Sequence, residues 1–233
     1  IDSGYHPRGL MALTFTNKAA REMRHRISQH IGSRARELRM GTFHSVFLSI
    51  LRQHATLLGY TPDFSIYNTS DSRSRLKAII KQLGLDDKVY KPNAIHSRIS
   101  SAKNRLITAS AYASYSDFIK YDAKSGLPKI AEIYQRYEAE LRLANAMDFD
   151  DLLLQTNILF RQHPDVLSLW QERIDYLLID EYQDTNFAQY MIARQLMQDK
   201  GAIFVVGDDA QSIYSFRGAN LDNMLSFTKT FPS

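Results

Sequence analysis

Short apolar runs and amphipathic stretches alternate near both ends of the 233-residue chain. Three apolar runs predict buried strands, at residues 10–13, 176–179 and 203–206, and residues 39–43 predict another short strand. Three stretches with apolar side chains at helical spacing predict helices, at residues 17–31, 44–58 and 186–197. Strands separated by helices indicate a parallel sheet.

The middle of the chain has a different pattern. Residues 60–145 contain no secure strand signal and predict helices joined by loops. Ser70 or Asp71 opens one of these helices, and Pro92 or Asn93 opens another. A long amphipathic helix is predicted over residues 129–144.

The predicted fold class is therefore α/β, a parallel sheet with an inserted all-helical domain. We place the sheet domain at residues 1–45 plus 175–233 and the insertion at residues 46–174. Hydrophobic residues make up 44% of the chain, which is enough for such cores. No apolar run is long enough to span a membrane, and no secretory signal is recognisable. The lack of cysteine excludes a disulfide framework and fits a cytoplasmic protein.

Charge is distributed unevenly along the chain. Residues 1–60 hold nine Lys or Arg against three Asp or Glu, a balance of +6. Residues 175–233 hold four against eight, a balance of −4. A basic beginning and an acidic end suit a protein that binds a polyanion with one part and a metal with another. Solvated surfaces of unequal charge explain the same numbers equally well.

The sharpest chemical signal is the segment at residues 178–186, LIDEYQDTN. Asp180 and Glu181 follow an apolar strand, and ligands bind beyond the carboxyl ends of parallel strands. One such carboxylate can hold Mg²⁺ while its neighbour activates water. The alternative interpretation is a polar turn in which Asp184 or Thr185 caps the next helix.

Several other kinds of site are excluded or weak. Residues 4–9 have the G-x-x-x-x-G spacing of a phosphate-binding loop, but Leu and Met follow where Lys and Ser or Thr are needed. Pro7 also removes one backbone amide from any such cradle. The seven histidines show no zinc-site spacing. Arg98, Lys103 and Arg105 form either a DNA-facing edge or, more simply, a solvated charge run.

Five ordered segments resemble motifs of the UvrD/Rep/PcrA DNA helicases of superfamily I. Residues 180–186 resemble their Walker B motif. The other four are residues 14–23 (TFTNKAAREM), 41–45 (GTFHS), 148–152 (DFDDL) and 206–219 (VGDDAQSIYSFRGA). The resemblance extends over nearly the whole chain and implies a RecA-like, P-loop NTPase-type sheet.

The resemblance also implies roles for individual residues. By similarity, Asp180 would bind Mg²⁺, Glu181 would activate water, and Gln211 would sense the γ-phosphate of ATP. The residues that would contact DNA are Phe15, Thr16, Asn17, Thr42, His44, Tyr214, Phe216 and Arg217. Tyr214 and Phe216 would stack on bases, and relatives often have Trp where this chain has Phe216. Stacking of this kind is worth roughly 1–3 kcal/mol per base.

The implied parent protein is an ATP-dependent helicase that moves 3′ to 5′ on DNA in the bacterial cytoplasm. Its cofactors would be ATP and Mg²⁺, and its partners single-stranded and duplex DNA and a second RecA-like domain. In the family, the Walker A loop lies upstream of residue 1 and further arginines lie downstream of residue 233. The chain by itself is therefore expected to be inactive.

Two other interpretations stay open. The chain could be a module that binds single-stranded DNA or a partner without hydrolysis, as the basic first sixty residues suggest. Helix N-terminal amides after Phe15 would offer a seat for a phosphodiester. The parent could also be a helicase–nuclease of the AddA/RecB kind, which only a nuclease domain outside this sequence would distinguish.

Overall fold

The computed structural model describes residues 4–197, 202–208, 227 and 231. The strands are β1 (Leu10–Thr14), β2 (Arg39–Thr42), β3 (Ser65–Tyr67), β4 (Ala146–Asp148), β5 (Tyr176–Ile179) and β6 (Ile203–Val205). The α-helices are α1 (Asn17–Ile31), α2 (Phe43–His54), α3 (Thr69–Gln82), α4 (Pro92–Asn104), α5 (Ala109–Ser114), α6 (Ser116–Lys124), α7 (Ile130–Leu143), α8 (Phe149–Gln162), α9 (Pro164–Arg173) and α10 (Phe187–Met197). None of the helices in the described ranges has the length and apolar character needed to cross a membrane.

Four strands form one parallel sheet in the order β2–β1–β5–β6. Met11, Ala12 and Leu13 of β1 are almost fully buried, as are Leu177 and Ile179 of β5, because these two strands are the central ones of the sheet. The predicted parallel sheet, built from both ends of the chain, is confirmed. All four predicted strands are present within one or two residues of their predicted limits.

The described chain divides into two compact units. One consists of residues 1–51 and 155–233 and contains the parallel sheet; the other consists of residues 52–154. These limits fall within α2 and α8, whereas the sequence placed the domain boundaries at 45/46 and 174/175. The compact helical unit is therefore shorter than the predicted insertion, and α9 belongs with the sheet.

The helical unit contains a strand pair that the sequence did not predict. β3 and β4 are parallel, with Ser65 opposite Ala146 and Tyr67 opposite Asp148. Each strand has only three residues, too few to show an alternating pattern. Their pairing also joins segments far apart in the chain, which a local pattern cannot reveal.

Two helix ends differ in detail from the prediction. Asn68, and not Ser70 or Asp71, caps α3: its Oδ1 accepts the amides of Ser70 and Asp71, and the Asp71 carboxylate accepts the amide of Asn68. This reciprocal arrangement is a capping box. The predicted helix at residues 44–58 ends earlier as an α-helix, because its last turn, Ala55–Leu58, is a 3-10 helix before Gly59 at φ +76°.

Lys103 of α4 is the most constrained charge of the helical unit. Its side chain is fully buried, and its Nζ lies 2.6 Å from Glu138 Oε1 and 2.8 Å from both Asp148 Oδ2 and Asp151 Oδ1. Burial alone would lower the pKa of Lys103, but the three carboxylates raise it well above its ordinary value. The side chain is therefore a charged ammonium inside the core.

The two aspartates of this cluster are held by each other as well. The Asp148 amide donates to Asp151 Oδ2 at 3.0 Å, and the Asp151 amide donates to Asp148 Oδ1 at 2.9 Å. The Tyr137 hydroxyl donates to Asp148 Oδ2 at 3.0 Å. Burial would raise the pKa of Asp148, but Lys103 lowers it below the ordinary value; burial and the neighbouring Asp148 raise the pKa of Asp151. Asp148 is thus the ionised partner of Lys103.

This network corrects the interpretation of the basic stretch around Lys103. Lys103 is neither a DNA-facing nor a solvated residue, because its buried ammonium donates to Asp148 Oδ2 at 2.8 Å and also lies within ion-pair distance of Glu138 and Asp151. Arg98 is also engaged: its guanidinium donates to Tyr112 Oη at 3.0 Å and to Asp122 Oδ1 at 2.7 Å. Only Arg105 of the three is exposed.

We predict that Lys103→Met lowers the free energy of unfolding by about 3–5 kcal/mol, because it leaves three carboxylates without their buried counter-charge. Urea denaturation of the 233-residue chain measures the loss. Lys77→Met is the matched control, since Lys77 is exposed on α3 and should change stability by no more than about 0.5 kcal/mol. Equal effects of the two substitutions would contradict the assigned role of Lys103.

Candidate functional site

The carboxyl ends of all four strands of the large sheet meet at one edge. Thr14, the last residue of β1, is paired in register with Thr42, the last residue of β2. On the other side of β1, Leu13 is paired with Ile179 of β5, and the Asp180 amide donates to the Leu13 carbonyl at 2.9 Å. β6 follows β5, with Val205 opposite Ile179. Residues that directly follow these strands therefore share one edge.

Asp180 and Glu181 lie at this edge, as the sequence predicted. Both are partly exposed, and Asp180 Oδ1 accepts the Glu181 amide at 3.0 Å. Glu181 has φ 54° and ψ 45°, in the left-handed region that non-glycine residues rarely adopt. A backbone of this kind costs of order 1–3 kcal/mol and tends to occur at functional sites.

The pair is suited to Mg²⁺. Among described residues, the second Asp180 oxygen accepts no hydrogen bond, so it is available as a ligand. Mg²⁺ at phosphate-binding sites needs only one or two carboxylates, with water and substrate oxygens completing its shell. Thr14, fully buried at the end of β1, has a hydroxyl with no hydrogen-bond partner in the described part of the chain. The donor set therefore fits a hard cation bound with a phosphate.

Gln183 connects the carboxylate turn to the end of β6. Its Nε2 donates to Glu181 Oε2 at 2.7 Å, and its Oε1 accepts the Asp208 amide at 3.0 Å. The backbone makes a second link, because the Tyr182 amide donates to the Val206 carbonyl at 2.9 Å. Gln183 is fully buried. No role was predicted for Gln183, and its place within residues 180–186 (DEYQDTN) is the only sequence signal for it.

The turn after the carboxylates is built differently from the alternative interpretation. Asn186, and not Asp184 or Thr185, caps α10: its Oδ1 accepts the Gln189 amide, while Gln189 Oε1 accepts the Asn186 amide, both at 2.9 Å. The Thr185 hydroxyl donates to the Tyr182 carbonyl at 2.7 Å. Since Asn186 caps α10, neither Asp180 nor Glu181 is needed to cap that helix.

The candidate DNA contacts after β1 and β2 fall at the same edge. Phe15 and His44 are partly exposed, and Asn17 is exposed. The hydroxyls of Thr16 and Thr42 cap the helices that follow, because they accept the amides of Ala19 at 3.1 Å and of Ser45 at 3.2 Å. Because the Thr16 hydroxyl accepts the Ala19 amide, the predicted phosphodiester site is limited to the amides of α1 that precede Ala19.

The arginines of α1, Arg21, Arg24 and Arg26, are all exposed, but two of them have partners within the fold. Arg24 Nη2 donates to the Met40 carbonyl at 2.5 Å, so its charge lies against β2. Arg26 Nη2 is paired with Glu22 one helical turn earlier, also at 2.5 Å. Arg21 is exposed on the same helix. Of these three positive charges, that of Arg26 is paired with a carboxylate on the same helix.

The remaining candidate residues, Gln211, Tyr214, Phe216 and Arg217, lie outside the described residues. In the sequence they follow Asp208, which is three residues beyond β6. Their assigned roles stay predictions.

The glycine-spaced segment at residues 4–9 is not a phosphate cradle. Pro7–Gly9 form a 3-10 turn capped by the His6 side chain, and the segment leads into the amino end of β1. The Asp175 amide donates to the Gly9 carbonyl at 2.7 Å, which fixes this turn beside the start of β5. A phosphate-binding loop follows the carboxyl end of a strand. Residues 4–9 are at the opposite end of β1 from Asp180.

We predict that Thr14→Val changes the free energy of unfolding by less than about 1 kcal/mol, because it replaces an unbonded buried hydroxyl with a methyl group of similar size. Thr42→Val removes a hydroxyl that caps α2 and should cost about 1 kcal/mol or more. Thermal and urea denaturation of both variants measure the difference. A larger loss for Thr14→Val than for Thr42→Val would contradict the description of Thr14.

Comparison with known proteins agrees with this geometry. The UvrD/REP helicase N-terminal domain family matches residues 1–232. The chain is 42% identical over its whole length to the ATP-dependent DNA helicase PcrA of Leuconostoc citreum, of which it covers 30%. It is 40% identical to PcrA of Bacillus subtilis (strain 168) over 97% of the chain, again 30% of that relative. It is 41% identical to the ATP-dependent DNA helicase UvrD1 of Mycobacterium tuberculosis (strain ATCC 25618 / H37Rv) over 96% of the chain.

The chain thus spans about 30% of the length of the curated relatives it matches. The α/β fold with a parallel sheet and many helices is the RecA-like fold expected from the five motif segments. The chain belongs to the UvrD/REP helicase N-terminal domain family.

Proposed function

We propose that the protein containing this chain is an ATP-dependent DNA helicase. It would couple hydrolysis of Mg-ATP to 3′-to-5′ movement on single-stranded DNA and to duplex unwinding in repair or replication. The observation that carries this proposal is the Asp180–Glu181 pair at the carboxyl edge of a parallel sheet, next to the ends of β1 and β2. The relatives named PcrA and UvrD1 support it.

The chemistry assigned to the pair follows from its position. Asp180 would hold Mg²⁺ through its free oxygen, and when bound the ion would neutralise charge on the phosphates. Glu181 would accept a proton from the attacking water, since its carboxylate is partly exposed and held by Gln183. Gln211 would sense the terminal phosphate of ATP.

The DNA-binding surface would begin at the same edge. Phe15, Thr16, Asn17, Thr42 and His44 would contact the single strand, while Tyr214 and Phe216 would stack on bases beside Arg217. Because Thr16 and Thr42 already cap helices through their hydroxyls, their part would be to shape the backbone that meets the phosphates. The helical insertion predicted at residues 46–174, of which residues 52–154 form the compact helical unit, would contact DNA as well, and a second RecA-like domain would complete the ATP site. We place the protein in the bacterial cytoplasm.

We predict that Glu181→Gln and Asp180→Asn each lower the DNA-stimulated ATPase rate of the full-length protein by about 10²–10⁴-fold, the range expected when a general base or a charge-stabilising group is lost. Strand displacement on duplexes with a 3′ tail should fall in parallel, and duplexes with a 5′ tail should not be unwound by any form. Glu172→Gln, on the exposed face of α9, is the matched control and should retain the full rate. Normal turnover by Glu181→Gln would end the proposal.

A second candidate function is binding of single-stranded DNA without hydrolysis by the 233-residue chain itself. The balance of +6 in residues 1–60 and the exposed Lys18 and Arg21 at the sheet edge favour it. No G-x-x-x-x-G-K-[S/T] segment occurs in the sequence, so the chain alone has no Lys to grip the terminal phosphates.

We predict that the isolated chain shows no DNA-stimulated ATPase activity above background and binds oligonucleotides with an affinity that falls linearly on a plot of log K against log salt. Phosphate release and fluorescence anisotropy measure the two properties. The expected binding is indifferent to base sequence. Ordinary helicase turnover by the isolated chain would refute the first part, and the absence of binding at low salt would refute the second.

A further inference from the structure

One side-chain amide joins the two turns that follow β5 and β6. Gln183 uses both ends of its amide: Nε2 donates to Glu181 Oε2 at 2.7 Å, and Oε1 accepts the Asp208 amide at 3.0 Å. Gln183 itself is fully buried, so its amide is shielded from solvent although its partners are partly exposed. A glutamate in its place would lack the donor, and an asparagine would be one methylene too short to span both partners.

The Glu181 side chain depends on this contact for its position. Its backbone lies in the left-handed region at φ 54°, between the end of β5 and the 3-10 turn Tyr182–Asp184. No regular element therefore fixes the direction of the carboxylate. The hydrogen bond from Gln183 is the contact in the described structure that does so.

Gly207 shows how closely the two turns approach each other. A Cβ atom added at Gly207 would lie 2.7 Å from Gln183 Oε1 and 3.2 Å from the Gln183 backbone nitrogen. The first distance is too short for any real contact, so a side chain at 207 would displace the Gln183 amide. Because Gly207 has no side chain, the Gln183 amide fits between the two turns.

We propose that Gln183 is a positioning residue that links the Glu181 carboxylate to the backbone after β6 through its two hydrogen bonds. A displacement of the backbone at Gly207 and Asp208 would therefore change the orientation of that carboxylate. The inference rests on the proposed function, in which Glu181 activates water. It adds a physical connection between the carboxylate and the stretch of chain that continues towards Gln211. Gly207 is part of this link because its lack of a side chain leaves room for the Gln183 amide.

The test uses the full-length protein and measures steady-state ATP hydrolysis with saturating single-stranded DNA. Gln183→Ala is expected to lower kcat by about 10–100-fold with KM for ATP changed less than twofold, since a misdirected carboxylate slows chemistry without weakening ground-state binding. Gln183→Glu should lower kcat as much, because it keeps the acceptor for Asp208 and loses the donor to Glu181. Gly207→Ala should lower kcat about tenfold, since it displaces the same amide.

Two double-mutant cycles separate positioning from general destabilisation. Adding Gln183→Ala to Glu181→Gln should lower the single-turnover rate by less than twofold, because the group that Gln183 positions is already disabled. Adding Gly207→Ala to Gln183→Ala should likewise have less than about a threefold effect. Gln189→Ala is the control: it removes another buried amide of the same unit, and should lower Tm while leaving kcat and KM within twofold.

The outcomes distinguish this inference from the proposed function. If Glu181→Gln keeps the wild-type rate, the proposed function itself fails. If Glu181→Gln is inactive but Gln183→Ala keeps its kcat, the positioning role is overturned. The same holds if Gln183→Ala lowers kcat by one factor in both the wild-type and Glu181→Gln backgrounds, or only in proportion to the folded fraction seen in thermal denaturation.

Discussion

Parallel pairing of β1 with β2 and β5 is the constraint on which the candidate site depends. Parallel strands end on the same side, so the residues after β1, β2, β5 and β6 are brought to one edge although they lie far apart in the sequence. Side chains with quite different chemistry meet there: an acidic pair after β5, and aromatic and polar residues after β1 and β2. Shifting the pairing by one residue would turn these strands' buried side chains to the wrong faces.

The helical unit depends on a different kind of interaction. Its core holds a positive charge, Lys103, whose ionised partner is Asp148 of β4, with the carboxyl groups of Glu138 from α7 and Asp151 from α8 beside it. Such a cluster is a costly way to stabilise a fold, because every group must lose its hydration before it gains a partner. Asp148 and Asp151 also accept each other's amides, so Lys103 is not the only group that fixes the geometry at the start of α8.

The sequence predicted much of this architecture because its signals were local. Apolar runs predicted β1, β5 and β6 of the large sheet. Asp180 and Glu181 were predicted as site residues because this acidic pair directly follows such a run. What escaped prediction depends on distant partners. In the sequence, Lys103 cannot be told from a surface lysine, because its acidic partners belong to three other elements. β3 is recognisable only through its pairing with β4. The role of Gln183 depends on its hydrogen bond with Asp208, which is 25 residues further along. The cap that the Thr42 hydroxyl forms on α2 was also not predicted, because Thr42 was considered only as a DNA contact.

The short β3–β4 pair has a consequence for how the chain can accommodate so large an interruption. Ser65 and Ala146 are roughly 80 residues apart in the sequence, yet they are neighbours in the structure, so the two chain segments that bound the helical unit run side by side. Because its two ends are adjacent, the stretch between β3 and β4 bridges a distance no longer than that bridged by a tight turn. Helices can accordingly be lengthened or exchanged between these two strands without altering the distance that the interrupted chain has to bridge.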